Sequence, residues 1–313
     1  MVNSLDVIGV GRAVMDFAVL VPDYPELDRK TEALDRFYGS GSPVPNALCQ
    51  LARWGWDTAL VAAVGADREG EDFTSNLASC SVETSFLTRR EGQSTPRAYI
   101  WVEERTGKRT VVLDRALAPL SDGDLPFQSL HQARFLLADG YEAAANIAAM
   151  KAVREKGGEV MLDVGAVREL MDEQLALCDW IIASLNFAKQ RFGNLDLFQV
   201  VRELLGYGAR GVVVTNGAGG CVATWEDEVE WFRSFPVATV DTTGAGDIFH
   251  AGFLHGRLKG WSVPSSVRWA AAAAAISTTG FGGRGKLPDE AEVRELLVRE
   301  GEPWDGEPEN EWK

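Results

Sequence analysis

The sequence predicts an α/β fold, with helices laid on a mostly parallel central sheet and a small second β-sheet covering one edge of it. Short apolar runs alternate with stretches of helical spacing from Val7 to Arg299. Two β-rich segments, about 12–38 and 95–113, interrupt that alternation. Residues 241–247, Asp-Thr-Thr-Gly-Ala-Gly-Asp, then run straight into the apolar, helix-like stretch Ile248 to Leu254.

In chain order, Val7 to Gly11 reads as a short buried strand that delivers Asp16 near a strand's carboxyl edge. Gly9 and Gly11 could begin a dinucleotide fingerprint, but Val14 stands where its third glycine belongs and a β-prone run, Phe17 to Val21, follows. A strand is expected over Glu32 to Tyr38, and then the rigid loop Gly39 to Asn46 leads into a helix from Ala47 to Trp54. Asn46 either faces a ligand or caps that helix. Thr58 to Val64 and Val82 to Leu87 read as strands around a helix ending near Ser79. Thr106-Gly107 between two β-prone runs marks a hairpin.

The alternation resumes with a strand at Phe135 to Ala138, a helix from about Glu142 to Lys156, and strands at Glu159 to Leu162 and Trp180 to Ala183. Asp163 and Asn186 follow those last two, where open α/β sheets bind ligands. Gly211 to Thr215 is a further strand, and Asn216 to Gly220 turns into a hairpin of Cys221 to Trp225 and Val229 to Phe235. The glycines of that turn either admit a nucleotide or serve the turn alone. An alanine-rich helix, Ser266 to Ile276, and a closing helix, Asp289 to Arg299, complete the chain. We expect one domain over residues 1–300, with the two β-rich segments inserted as a lid, and an acidic tail over 301–313. The lid sheet either covers a site or joins two copies of the chain.

With 46% hydrophobic and 25% charged residues, the 313-residue chain has the composition of a soluble globular protein. Its net charge of −15 argues against general affinity for nucleic acid or anionic membranes. No apolar run reaches the roughly 18 residues of a membrane span, and the first residues lack signal-peptide character, so a cytoplasmic location is expected. Cys49, Cys80, Cys178 and Cys221 are widely spaced, without metal-ligand spacing, and are expected as free thiols. With only His131, His250 and His255, carboxylates must carry any acid–base work.

The chemistry of residues 241–247 points to an anion. Glycines at a helix start let backbone N–H groups approach a ligand, and the helix end carries roughly half a positive charge. Asp247 beside it suits a general base for phosphoryl transfer. Taken alone, the stretch could also be a flexible turn with an acid in the first helical turn.

With the other segments beside it, the chain resembles the ribokinase-like carbohydrate kinases, the PfkB family, from Asp16 to the last helix. Asp241 to Asp247 is similar to the family's C-terminal signature, and Gly41 to Asn46 resembles its N-terminal one. The resemblance implies a three-layer α/β/α sandwich with a β-sheet lid, and ATP-dependent phosphorylation of a sugar hydroxyl. It makes Asp247 the base, the N–H groups of Gly244, Ala245 and Gly246 an anion hole, and Asp16, Gly41 and Asn46 substrate ligands. To the substrate side we add Asp139, which follows the strand 135–138, and Arg97, placed where some sugar-phosphate kinases of the family hold an anion. It assigns Asn186, Thr215, Gly217 and Gly220 to the nucleotide, and Asp241, Thr243 and Gly280 to a monovalent cation such as K⁺ beside Mg²⁺.

Three departures stand out. Lys189 replaces the glutamate that often follows the asparagine near the metal; Ser42 replaces the second glycine of the first signature; and Gly282 to Lys286 is unusually basic. A neutral sugar or polyol is favoured over an acidic or phosphorylated one, which Arg12 and Arg97 would hold. A nucleoside kinase and a non-catalytic sugar-sensing relative are the alternatives, and a homodimer through the lid sheet is expected.

Overall fold

A computed structural model describes residues 5–115 and 117–306. The chain opens with β1 (Val7–Val10), whose four residues are all buried, and crosses into β2 (Val14–Val21) and β3 (Asp35–Gly41). Helix α1 (Pro43–Arg53) starts earlier than the sequence suggests. Pro43 and Pro45 read as loop stiffeners, but a proline in the first helical turn forfeits only an N–H that has no partner there anyway. Asn46 therefore lies inside the helix, and its cap role is excluded; Ser42, at φ 88°, occupies the cap position without a side-chain cap bond.

Strand β4 (Thr58–Gly65) is fully buried and leads to α2 (Arg68–Ser79), which Asp67 caps by accepting from Gly70 N at 3.0 Å. The next strand, β5, is Leu87–Arg90 and not Val82 to Leu87. Of the expected run, Glu83 makes one isolated bridge to Ala59, because the chain meets the edge of β4 only there before it bends. Strands β6 (Arg97–Glu103) and β7 (Arg109–Asp114) form the expected hairpin.

Beyond the short α3 (Phe127–Leu130) come β8 (Phe135–Ala138), α4 (Ala143–Glu155) and β9 (Glu159–Val164). Then follow α5 (Met171–Leu175), β10 (Trp180–Ser184), α6 (Leu185–Phe192), α7 (Leu197–Leu205) and β11 (Gly211–Thr215). Strands β12 (Cys221–Trp225) and β13 (Glu228–Phe232) make the predicted hairpin, and α8 (Ala245–Leu258), α9 (Val263–Ser277) and α10 (Glu290–Glu300) close the chain.

The nine-stranded sheet runs β13-β12-β11-β10-β9-β8-β1-β4-β5. Its strands are parallel except for the β11-β12-β13 edge, which is antiparallel. Strands β1, β4 and β8 are buried along their whole length, as central parallel strands covered on both faces must be. One apolar cluster joins the sheet to α1, α2, α8, α9 and α10, and a second joins its other face to α3 through α7. This is the three-layer arrangement.

The second sheet, β3-β2-β6-β7, gathers both β-rich inserts. Ala18, Ala98, Ile100 and Val102 form a small apolar cluster on one of its faces, with Phe37 and Phe281 packed against them. Of the stretch expected as an acidic tail, residues 301–306 are described. Trp304 is buried near Trp269 and Asp305 accepts from Ser265 Oγ at 2.8 Å, so these residues pack against α9; residues 307–313 lie outside the described residues.

Candidate active site

Parallel strands in one register end together, so residues just after them share one edge. Asp139 follows β8, Asp163 sits near the end of β9, and Ser184 of β10 pairs with Thr215 of β11. The start of α8 faces this edge: Asp163 lies 3.5 Å from His250 Nε2 and raises the pKa of Asp247.

The two glycine-containing signatures meet here. Asn46 Nδ2, in α1, donates to Asp247 Oδ2, in α8, at 2.7 Å. Asn46 Oδ1 is buried with no donor among the described residues, leaving an acceptor open beside the carboxylate. The Asp247 carboxyl group is pushed up to about 6, first by burial; the Asn46 hydrogen bond opposes this, Asp163 adds to it, and His250 and Arg109 counter it.

Asp16 projects from β2 and is buried at 6% exposure. Burial and then the charge of Asp247 raise its pKa to about 7, against Arg284 and Arg109. Gly41 is needed next to it, since a Cβ there would stand 2.1 Å from Asp16 Oδ2. Asp16, Gly41, Asn46 and Asp247 are thus neighbours in one cluster.

Helix α8 begins on Gly244, at φ 80°, with Gly283 O only 2.3 Å from where a Cβ would be. A side chain is excluded twice there, by backbone conformation and by space. Ala245 N donates to Thr242 O at 3.3 Å, so it is not a free donor. The N–H groups of Gly246 and Asp247 meet no acceptor among the described residues, and Gly246 is exposed. Asp241, 1% exposed, accepts from Thr243 N and Oγ1 at 2.9 and 2.7 Å and from Gly282 N at 2.9 Å. It ties the segment before α8 to the 280–286 loop, and no Lys, Arg or His pairs with it among the described residues. Gly280 packs tightly under Gly285 and Lys286 in the same loop.

On the other flank, Thr215 Oγ1 donates to Ala183 O, and Gly217 opens the short turn that Gly220, at φ 80°, closes before β12. Asn186 sits exposed in the first turn of α6 and donates to Gly165 O at 3.1 Å; Lys189 is exposed one turn later. Asp139 is buried, accepts from Arg12 N and Tyr141 N at 3.2 and 3.0 Å, and is still raised to about 7 by burial. Burial also raises Asp163 to about 7 and keeps His250 below its usual pKa.

Arg97 is not brought to the site. Cross-strand partners share a face of a sheet, and Asp16 pairs with Ala98, so alternation turns Arg97 to the opposite face with Tyr99. There it binds Glu69 at 2.8 Å. Arg12, similarly, is engaged by Glu142 at 2.9 Å. The same alternation identifies one residue that sequence reasoning missed, and a loop residue, Arg168, is a second. Arg109 pairs with Val102, on the Asp16 face, and its Nη1 reaches Thr242 Oγ1 at 3.3 Å. Arg168 lies 3.4 Å over the Tyr141 ring and has no carboxylate partner among the described residues. The signal for Arg109 was present in the hairpin's period of two, but it needed the register to be read.

A cavity of about 1040 Å³ is lined by Thr58, Val82, Glu83, Phe86 and Phe127. It lies by the amino end of β4, away from all these carboxylates, and takes no part in the site.

The family model described as pfkB family carbohydrate kinase matches residues 5–290. A nucleoside kinase of Methanothermobacter thermautotrophicus is 26% identical over 94% of this chain and 96% of its own length. A 5-dehydro-2-deoxygluconokinase of Geobacillus kaustophilus is 27% identical over 94% of each chain. The fold is shared with the Arabidopsis thaliana ribokinase solved with ribose and ATP, at a TM-score of 0.80 and 24% identity, covering 94% of this chain and 99% of that one.

Proposed function

Because the chain belongs to the pfkB family of carbohydrate kinases, we propose that it transfers the γ-phosphoryl group of ATP to a hydroxyl of a small sugar or sugar derivative, with Asp247 as general base. The observation that carries this is the Asn46–Asp247 hydrogen bond beside a helix start where the N–H groups of Gly246 and Asp247 meet no acceptor among the described residues.

In this reading Asp247 takes the proton of the attacking hydroxyl. The hydroxyl oxygen bonds to the γ-phosphorus while the bond to the β-phosphate oxygen breaks, and ADP leaves. The Gly246 and Asp247 N–H groups stabilise charge on the moving group, with Gly244 and Ala245 shaping the turn that aims them. Asp16, Gly41 and the open Asn46 Oδ1 orient the substrate, with Asp139 supporting the strand edge. A carboxyl group raised to about 6 is still ionised at neutral pH and basic enough to assist.

Nucleotide phosphates fit the open helix start and the turn Gly217 to Gly220, flanked by Asn186 and Thr215. Among the described residues no three His, Cys, Asp or Glu side chains cluster as a metal cage, which fits Mg²⁺ carried largely on phosphates. Bound there, Mg²⁺ supplies charge neutralisation to the phosphates. A monovalent cation fits beside Asp241, a buried carboxylate with no cationic side chain paired to it among the described residues, with Thr243 and Gly280 in the adjoining segments. The face of the small sheet carrying Phe17, Tyr38 and Tyr99, with ring centroids 4.9 and 5.5 Å apart, is our candidate for a homodimer contact, to be checked by sedimentation velocity.

A second reading, a substrate bearing a carboxylate or phosphate, is favoured by Arg168. A panel of neutral sugars, sugar acids, sugar phosphates and nucleosides, read by ADP release with K⁺ and with tetramethylammonium, tests the proposal. Turnover with a sugar supports it. ATP binding without ADP release across the panel would favour a sensing role instead.

A further inference from the structure

Two thiols converge on one guanidinium beside the substrate-side strand. Cys49 Sγ, in α1 one turn after Asn46, lies 3.0 Å from Arg284 Nη1, and Cys80 Sγ, at the end of α2, lies 3.4 Å from the same nitrogen. Arg284 Nη2 binds Ser40 Oγ and reaches Asn76 Oδ1 at 3.5 Å. No carboxylate forms an ion pair with Arg284 among the described residues, and its Nε lacks an acceptor. A part-buried guanidinium with no ion-paired carboxylate favours ionisation of a neighbouring thiol, because the thiolate supplies a negative charge in direct contact with it.

The pair is asymmetric in access. Cys49 is fully buried, while Cys80 is partly exposed. The hydrogen bond from Cys49, and then Arg284, pull Cys80 down to about 6 against its burial; the same contact and burial push Cys49 up. Cys178 and Cys221 are buried, have no such partner among the described residues, and are pushed well up by burial.

We propose that Cys80 and Cys49 form an oxidisable dithiol site for hydroperoxides, with Cys80 as the attacking thiolate and Cys49 as the resolving thiol. The Cys80 sulfur attacks a peroxide oxygen and the O–O bond breaks. The departing oxygen takes up a proton and leaves as water or alcohol, and Cys80 becomes a sulfenic acid. Cys49 Sγ then attacks that sulfur, the S–O bond breaks, and hydroxide leaves with the Cys49 proton as water. Two electrons have passed from the two sulfurs to the peroxide, leaving a disulfide that ties α1 to the end of α2.

The test exposes the folded full-length protein to stoichiometric hydrogen peroxide, blocks remaining thiols, and measures intact mass and peptide maps. The expected result is a loss of about two mass units, reversed by dithiothreitol, with Cys49 and Cys80 in one linked peptide. Cys80→Ser should block the reaction, and Cys49→Ser should stop it at a sulfenic acid captured by dimedone. In the unmutated protein, iodoacetamide should label Cys80 at least about tenfold faster than Cys178 or Cys221, a readout that needs no variant to fold. An unchanged mass, a disulfide through Cys178 or Cys221, or Cys80 labelled no faster than those two would overturn the proposal. None of these readouts depends on kinase turnover.

Discussion

Asn46 Nδ2 and Asp247 Oδ2 are 2.7 Å apart although 201 positions separate them in sequence. The bond joins the first turns of α1 and α8, so the two helix starts and the small-sheet strand leading into α1 are held as one unit. It also favours the ionised form of the carboxyl group, against the burial that raises it.

Removing that bond should move the acid limb of the pH–rate profile. In the wild type, kcat/KM is expected to fall as pH drops through about 6, where Asp247 takes up a proton. Asn46→Ala raises the Asp247 pKa further, so the limb should shift upward by up to about one pH unit. A steady-state profile from pH 5 to 8 checks this, and an unmoved limb would count against the pairing.

Gly41→Ala should damage the substrate side selectively. The added methyl group would press on the Asp16 carboxylate, which must then turn away. Overpacking of this kind costs about 1–3 kcal/mol, so the sugar KM should rise roughly tenfold while the ATP KM stays near wild type. Equal effects on both would place the damage in the fold as a whole.

Much of this arrangement was legible in the sequence. Buried strands such as Phe135–Ala138 and Gly211–Thr215 match their expected bounds, because uninterrupted apolar runs have no other home than a covered parallel sheet. The hairpin at Thr106-Gly107 and the merging of both β-rich inserts into one sheet followed from their turn chemistry and β-propensity. Helix α1 starts earlier than the sequence suggests, since the two prolines and four small residues of 39–46 describe a rigid loop as well as a first turn. Arg97 and Arg109 could not be told apart without the strand register, which sends one to Glu69 and the other towards Thr242. Arg168, in the loop after β9, carried no periodic signal at all.

The buried carboxylates should make stability fall as pH rises. Asp163, with a folded pKa of about 7 against an ordinary 3.8, binds its proton more tightly in the folded state. Its contribution is therefore fully present below pH 3.8 and lost as pH climbs to about 7, and Asp16 and Asp139 act in the same direction. Asp163→Asn should raise the melting temperature at pH 8 by about 2–5 °C, with the gain vanishing near pH 4. Thermal unfolding at both pH values decides it; an equal gain at each would show that the carboxyl charge is not the cause.

The central claim is that Asp247 removes the proton from the attacking hydroxyl. Asp247→Asn keeps the shape and can still accept from Asn46, but it has no basic oxygen. Sugar-dependent ADP release should fall by about a thousandfold or more, with ATP binding and melting temperature near wild type. Turnover within tenfold of wild type in this variant would contradict the assignment.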